Sequence, residues 1–196
     1  MKLKSAVFAG VLAGTLSLSP AHAQDLPAGT LEHISQSGTI HLGYRESSAP
    51  FSYLDAQGKP IGYSIDLCRS LVAAMSAEVG RELAIKWVPV TSETRIPAVV
   101  SGLVDLECGS TTNNAERRGQ VAFSPTTFVA GTKLMVSRRS PAKSFRDLSG
   151  KTIVVTAGTT NEKAIHDLND RFKLNFKIQP HPIMINMLSI RIYKMR

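Results

Sequence analysis

Apolar residues recur along the chain at two spacings, and the switch between them predicts the order of elements. Around Leu83, Ile85 and Trp87 every second residue is apolar, the period of a strand, which predicts one over Leu83–Val90. Strands are predicted likewise at Thr39–Tyr44 and Val104–Cys108. Ile65, Cys68, Leu71, Val72, Met75 and Val79 fall instead on one helical stripe, which predicts a helix capped by Ser64 and ended by Gly80. A shorter helix, Leu31–Gln36, is predicted between Thr30 as N-cap and Gly38 as stop. Phe51–Tyr53 and Ile61–Tyr63 flank Asp55-Ala56-Gln57-Gly58, a hairpin pattern. A further short helix around Arg95–Ser101 carries Pro97 near its start, where proline is tolerated.

The resulting order, β-α-β-α-β, argues for an α/β fold with an open, mostly parallel sheet. Ligands of such sheets sit beyond the carboxyl ends of the strands, and Arg45, Ser92, Arg95, Ser110 and Thr112 all follow predicted strand ends. Phe128–Val136 reads as an extended apolar segment broken by Gly131, and the polar run Ser137-Arg138-Arg139-Ser140-Pro141 as a crossover into a second lobe. A new unit begins there, with a short helix at Ser144–Leu148 and a strand at Thr152–Thr156. Gly158-Thr159-Thr160 then opens a helix at Asn161–Phe172, and another strand starts at Phe176–Ile178.

The two ends of the chain differ from its body. Lys2 and Lys4, an apolar run from Ala6 to Leu18 and Ala21-His22-Ala23 have the pattern of a secretory signal peptide cleaved before Gln24. No other stretch is long and apolar enough to predict a membrane-spanning helix. The predicted division is residues 1–23 as signal, 24–130 as the first lobe, 131–180 as the start of a second lobe and 181–196 as an atypical tail. Residues 182–196 hold three of the six methionines and no acidic residue, and the second lobe has little chain in which to complete a sheet. The expectation is a truncated or frameshifted product.

Charge changes meaning once the ends are set apart. The formal net charge is +8, but the signal and residues 181–196 carry bases and no acids, leaving 18 basic against 15 acidic residues. With no basic run interleaved with aromatics, a nucleic-acid partner is not expected. Cys68 and Cys108 are the two cysteines of a chain read as exported. They are compatible with a disulfide, which would contribute about 3–4 kcal/mol, or with two reduced thiols, one of them in the core.

Candidate chemistry centres on arginine. Arg45, Arg95 and Arg117 each lie after a predicted strand or at a helix start, beside small hydroxyl residues. Their forked donors fit carboxylates two bonds at a time, so three converging on one cleft would bind a small molecule with more than one carboxylate. Ser110-Thr111-Thr112 and Gly158-Thr159-Thr160 supply hydroxyls and N–H groups where strands give way to helices or turns, natural cradles for an anion. Enzyme signatures fare worse. Ser140-Pro141-Ala142-Lys143 matches S-x-x-K without companion motifs. Gly150-Lys151-Thr152 lacks the glycine of a P-loop, Phe145 standing in its place. The histidines lack metal-ligand spacing, and no histidine is placed by sequence to activate Cys108. No cofactor, metal or catalytic residue is expected.

Several segments together resemble a known family. Gly62-Tyr63-Ser64-Ile65-Asp66-Leu67-Cys68, Pro89 to Pro97, Leu106 to Arg117 and Val121-Ala122-Phe123-Ser124 are similar to the periplasmic amino-acid-binding proteins of ABC transporters, solute-binding protein family 3. The stretch Glu107-Cys108-Gly109-Ser110-Thr111-Thr112-Asn113-Asn114 points to the glutamate/aspartate-binding branch. The resemblance runs from about Leu31 to about Ile178. It implies a two-lobed, type II periplasmic-binding fold with its second lobe incomplete, and a monomer in the periplasm that captures glutamate or aspartate for inner-membrane permease subunits. It also implies roles. Arg117, with Thr112 and Thr160, would hold the ligand α-carboxylate, Ser110 would accept from its amino group, and Arg45, Arg95 and Ser92 would hold the side-chain carboxylate. Against this pattern, Met184 stands where a histidine is expected and an aspartate for the ligand ammonium has no counterpart. Such proteins also run on for about a hundred residues more. The chain is therefore expected to bind weakly or not at all; the alternative weighed is an enzyme on the same fold, such as a periplasmic dehydratase, with Glu46 or Glu107 as its carboxylate.

Overall fold

A computed structural model describes residues 29–182. The expectations for the signal segment, for Met184 and for nearly all of the tail lie outside those residues.

The first sheet places β1 (Thr39–Tyr44) between β5 (Ala84–Pro89) and β6 (Leu106–Glu107), all parallel. Its register pairs Tyr44 with Pro89 and Gly43 with Glu107, so the chain leaves all three strands at one edge of the sheet. Two connecting helices form the expected alternation: α2 (Tyr63–Glu78) links β1 to β5 by way of a hairpin sheet, and α3 (Arg95–Val100) links β5 to β6. That small antiparallel sheet is β2 (Ser47–Ser48), β3 (Ser52–Leu54) and β4 (Pro60–Ile61), with Tyr53 opposite Ile61 across the turn at Asp55–Gly58. The core between helix and sheet holds Ile34, Ile40, Leu42, Ile65, Cys68, Val72, Leu83 and Cys108. Within it Cys68 of α2 and Cys108 after β6 form a disulfide, 40 residues apart in sequence.

The second unit is smaller. A 3-10 turn at Phe145–Leu148 leads to β7 (Thr152–Thr156), α5 (Thr160–Phe172) and β8 (Lys177–His181), with β7 and β8 parallel. Leu148, Ile153, Val155, Ile165, Leu174 and Phe176 form its core, joined by Leu134 and Val136 from the preceding segment.

Local differences from the pattern-based expectation have local causes. Helix α1 (Thr30–Ser37) is capped by Gly29, not Thr30, with no side-chain bond, while Gly38 ends it in the left-handed conformation as expected. Ser64 lies inside α2, whose cap is Gly62 at φ 122°. There the backbone of Phe51 runs so close that a side chain would meet its carbonyl oxygen at 2.6 Å. Ser64 donates instead to the Gly109 carbonyl at 2.7 Å, tying α2 to the loop after β6. Leu71, placed on the buried stripe, is 46% exposed; Ile65, Cys68 and Val72 are the buried residues of α2, with Met75 packed partly buried beside them. The strand expected over Val104–Cys108 shrinks to Leu106–Glu107. Phe128–Val136 forms no ladder among the described residues, since an apolar stretch becomes a strand only when a neighbour takes up its backbone groups.

Candidate functional site

The register of the first sheet assembles the site. Arg45 follows β1, Ser92 and Arg95 follow β5, and Ser110 and Thr112 follow β6, so the three loops share the carboxyl edge of the sheet. Arg45, Ser92 and Arg95 are all nearly inaccessible, at 3%, 4% and 2% exposure. The backbone N–H of Arg45 donates to the hydroxyl of Ser52 at 2.9 Å, which fixes the turn that points β1 into the hairpin. Arg95 opens α3, whose start is set by the Thr91–Thr94 turn: Thr94 Oγ1 accepts from the Thr91 N–H at 2.9 Å and Thr91 Oγ1 from the Thr94 N–H at 3.1 Å.

Electrostatics record the convergence of the three arginines. Burial pushes the Arg95 guanidinium down to about 10; Glu107 opposes the shift, while the like charges of Arg117 and Arg45 add to it. Arg45 is lowered as well, by burial first, with Glu107 again opposing. Glu107 is raised by burial against the pull of Arg95, the Thr111 hydroxyl, Arg45 and the Gly109 N–H. Burial is the largest cause in all three, and no ion pair within 4 Å joins Glu107 to Arg45 or Arg95 among the described residues.

Several buried polar atoms of this edge are left without partners. Among the described residues, the Oγ atoms of Ser48 and Ser92, Nε of Arg95 and Oε1 of Glu107 are inaccessible and make no hydrogen bond. Each such group costs about 1–3 kcal/mol if nothing satisfies it. Ser92 and Arg95 follow β5 and Glu107 ends β6, so three of the four lie at the carboxyl edge of the first sheet. Two open grooves elsewhere, one beside Arg69, Ser76 and Leu83 and one beside Lys133, Phe145 and Leu168, hold no atom of this kind.

Arg117 is half-buried and reaches across to the second unit. Its Nη1 donates to the Thr112 carbonyl at 3.1 Å and its Nη2 to the Gly158 carbonyl at 3.4 Å. Its helix, α4 (Ala115–Arg118), is capped by Asn114, which accepts from the Arg117 N–H at 2.9 Å. The Thr112 and Thr160 hydroxyls, from different units, lie 3.0 Å apart. Gly158 sits in the left-handed region at φ 69°, and a side chain there would come within 3.1 Å of the Glu93 backbone nitrogen. Thr159 caps α5 by accepting from the Glu162 N–H at 3.2 Å.

Arg45, Arg95 and Arg117 thus lie within electrostatic reach of one another, Arg117 and Thr160 both meet Thr112, and Ser92 follows the same sheet edge, with Ser110 half-buried in the loop between β6 and α4. Ser48 and Ser52 had no place in the binding set read from sequence, Gly158 entered only within the Gly158-Thr159-Thr160 cradle, and Glu107 only as a candidate enzymatic carboxylate. The position of Glu107 directly before Cys108-Gly109, at the end of β6 beside the central strand β1, was the available signal. Glu46, its alternative, is exposed. No group of three or more acidic, histidine or cysteine side chains among the described residues could hold a metal ion.

An open parallel sheet with buried arginines at its carboxyl edge, joined to a second α/β unit, has the organisation of a two-unit α/β binding protein. The chain belongs to the bacterial extracellular solute-binding proteins, family 3, whose pattern matches residues 40–180. It is 46% identical over 182 residues to the glutamate/aspartate import solute-binding protein of Salmonella typhimurium, covering 91% of this chain and 60% of that protein. The protein of the same name in Escherichia coli is 45% identical over 172 residues, 86% of this chain and 57% of that one. Among solved structures, the ancestral amino acid-binding protein AncCDT-1, a precursor of cyclohexadienyl dehydratase, is similar with a TM-score of 0.69 and 30% identity, over 79% of this chain and 66% of that one. The chain therefore spans about three fifths of the length of the curated relatives it matches.

Proposed function

We propose that the chain is the solute-capturing part of an amino-acid importer and that its ligand is an acidic amino acid, glutamate or aspartate. The observation that carries this is the buried edge at Arg45, Ser92 and Arg95, where cationic forks and a hydroxyl are held out of water without full pairing. Side-chain carboxylates supply acceptors for both arginines, while a neutral ligand leaves a buried guanidinium unpaired at a cost of several kcal/mol. Arg117, Thr112 and Thr160 serve the α-carboxylate at the junction of the two units, and Ser110 serves the amino group. Family membership and the names of the relatives support the same ligand class.

On this reading the protein is a monomer of the periplasm, exported by residues 1–23, that passes its ligand to permease subunits in the inner membrane. The units divide near residue 130. The protein does no chemistry: the site holds forked donors and hydroxyls that can grip carboxylates. Titration calorimetry tests the assignment. L-Glutamate or L-aspartate should bind saturably but more weakly than to a relative of full length, Arg117→Ala should abolish binding, and Arg45→Ala should weaken the preference for acidic over neutral amino acids. Equal affinity for leucine and glutamate would remove the acidic assignment. A mass change of an added amino or keto acid on incubation would favour the enzyme reading.

A further inference from the structure

We propose that Glu107 is a specificity-determining residue of the cleft, a resident carboxylate that offsets one of the three guanidinium charges. The pocket then presents two positive charges and is matched by a ligand with two carboxylates. The inference rests on the ligand class proposed above and names the residue that sets its charge.

Geometry places the carboxylate in the cleft wall. Glu107 ends β6, and its backbone pairs with Gly43, two residues before Arg45. Thr111 donates to its Oε2 at 2.8 Å, whereas Oε1 is inaccessible and has no hydrogen-bond partner among the described residues. Gly109 makes room for this arrangement: a side chain there would collide with Oε1 and lie 3.0 Å from Cγ of Arg45. One glycine thus lets an acidic side chain and the stem of a basic one share a crowded corner.

The separation matters as much as the proximity. No ion pair within 4 Å joins Glu107 to Arg45 or Arg95 among the described residues, although the charges of both arginines act on it. A carboxylate that gripped either fork directly would compete with the ligand for it. Held by Thr111 at a remove, Glu107 lowers the field of the pocket and leaves the forks open. Without it, two buried guanidinium groups and the half-buried one of Arg117 would repel one another with only two ligand carboxylates to compensate.

A second consequence follows when a ligand arrives. The charged groups facing Glu107 are Arg45 from the end of β1 and Arg95 from α3, with the Thr111 hydroxyl and Gly109 N–H from its own loop. Burial already favours its protonated form, and a ligand carboxylate placed on the same arginines adds a like charge. Binding of glutamate should therefore draw a proton onto Glu107, while glutamine, with no second carboxylate, should draw less.

The experiment is calorimetric titration of L-glutamate and L-glutamine into the full chain and its Glu107→Gln variant, each in two neutral buffers of different ionisation enthalpy. The variant keeps an acceptor for Thr111 but carries no charge. Its affinity ratio of glutamate to glutamine should rise about tenfold, the size of one unit charge acting over several ångströms of partly buried protein. Proton uptake on glutamate binding should be present in the parent and absent in the variant. Thr111→Val, which removes only the hydroxyl donor, should move the ratio in the same direction by a smaller factor, and it carries the test should Glu107→Gln fail to give a cooperative melt. Binding with an unaltered ratio and unaltered proton uptake overturns the role of Glu107 alone. Absence of saturable glutamate binding by the parent overturns this inference together with the ligand class on which it rests.

Discussion

The two units of the chain bury different kinds of side chain. Around β1 the interior encloses Arg45, Ser48, Ser52, Ser92 and Arg95 beside its aliphatic core, whereas the described interior around β7 is aliphatic and aromatic, with no buried polar or charged residue. Taking a guanidinium out of water opposes folding, and a carboxylate that does not engage it repays little. The first unit compensates with a disulfide and a central strand paired on both sides; the second has neither among the described residues. One unit carries the buried charges proposed to recognise a ligand, together with the reinforcement they require. The other offers a hydroxyl-rich helix start.

That contrast is most sharply tested by removing the reinforcement. Reducing the Cys68–Cys108 bond, or replacing Cys108 by serine, frees a 40-residue loop. The first unit should lose about 4 kcal/mol on the chain-entropy account. Thermal melts followed with and without reductant should show this loss while the transition of the second unit stays in place. A parallel shift of both would mean that the units fold as one, and the comparison would fail. The converse is Ile165→Ala on α5, whose side chain is 3% exposed at the centre of the second core. A loss of about 3 kcal/mol confined to the second transition is expected.

A smaller effect should come from the junction itself. Gly158→Ala places a side chain in the left-handed region and against the Glu93 backbone, so one unit must give way. The conformational part alone is about 1–2 kcal/mol. Hydrogen exchange should quicken around Thr112 and Thr160, whose hydroxyls now lie 3.0 Å apart, with both cores protected as before. Unchanged exchange at those residues would show that Gly158 does not hold the units together.

Much of this arrangement was legible in the sequence, for reasons that differ by element. Thr39–Tyr44 and Thr152–Thr156 have the predicted bounds, because a short apolar run beside turn residues leaves few alternatives. Gly38 and Thr159 act as the stop and cap their residue types favour. Arg45, Arg95 and Arg117 could be grouped because parallel strands leave the sheet at a shared edge, which the β-α-β order already implies. Other features depended on contacts that no local pattern carries. The cap of α2 shifted from Ser64 to Gly62 because Phe51, from the hairpin, fills the space beside it. The disulfide and the place of Glu107 rest on the pairing of β6 with β1, a contact across some 60 residues. Gly158 reads as a helix-start glycine until Glu93 is seen against it.

Two carboxylates carry the contrast into pH dependence, and this is the smallest effect, since one of them is exposed. In the second unit, Asp147 closes a capping box: its Oδ2 accepts from the N–H groups of Lys143 and Ser144, each at 2.8 Å. Those bonds hold its carboxyl below the usual aspartate range. The unfolded chain then binds the proton more readily than the folded one, so this contribution is present above the ordinary aspartate range and is lost as pH falls through the lowered value. Glu107 in the first unit has the opposite sign. Its carboxyl is raised by burial, so the folded state takes up the proton first and gains stability as pH falls through the raised value toward the ordinary glutamate range. Mild acidification should therefore raise the first transition before stronger acid lowers the second. Asp147→Asn should flatten the acid limb of the second transition, and Glu107→Gln the gain of the first. If both transitions fall together from neutral pH downward, buried charge and exposed cap do not act separately, and the division of labour between the units does not extend to their protons.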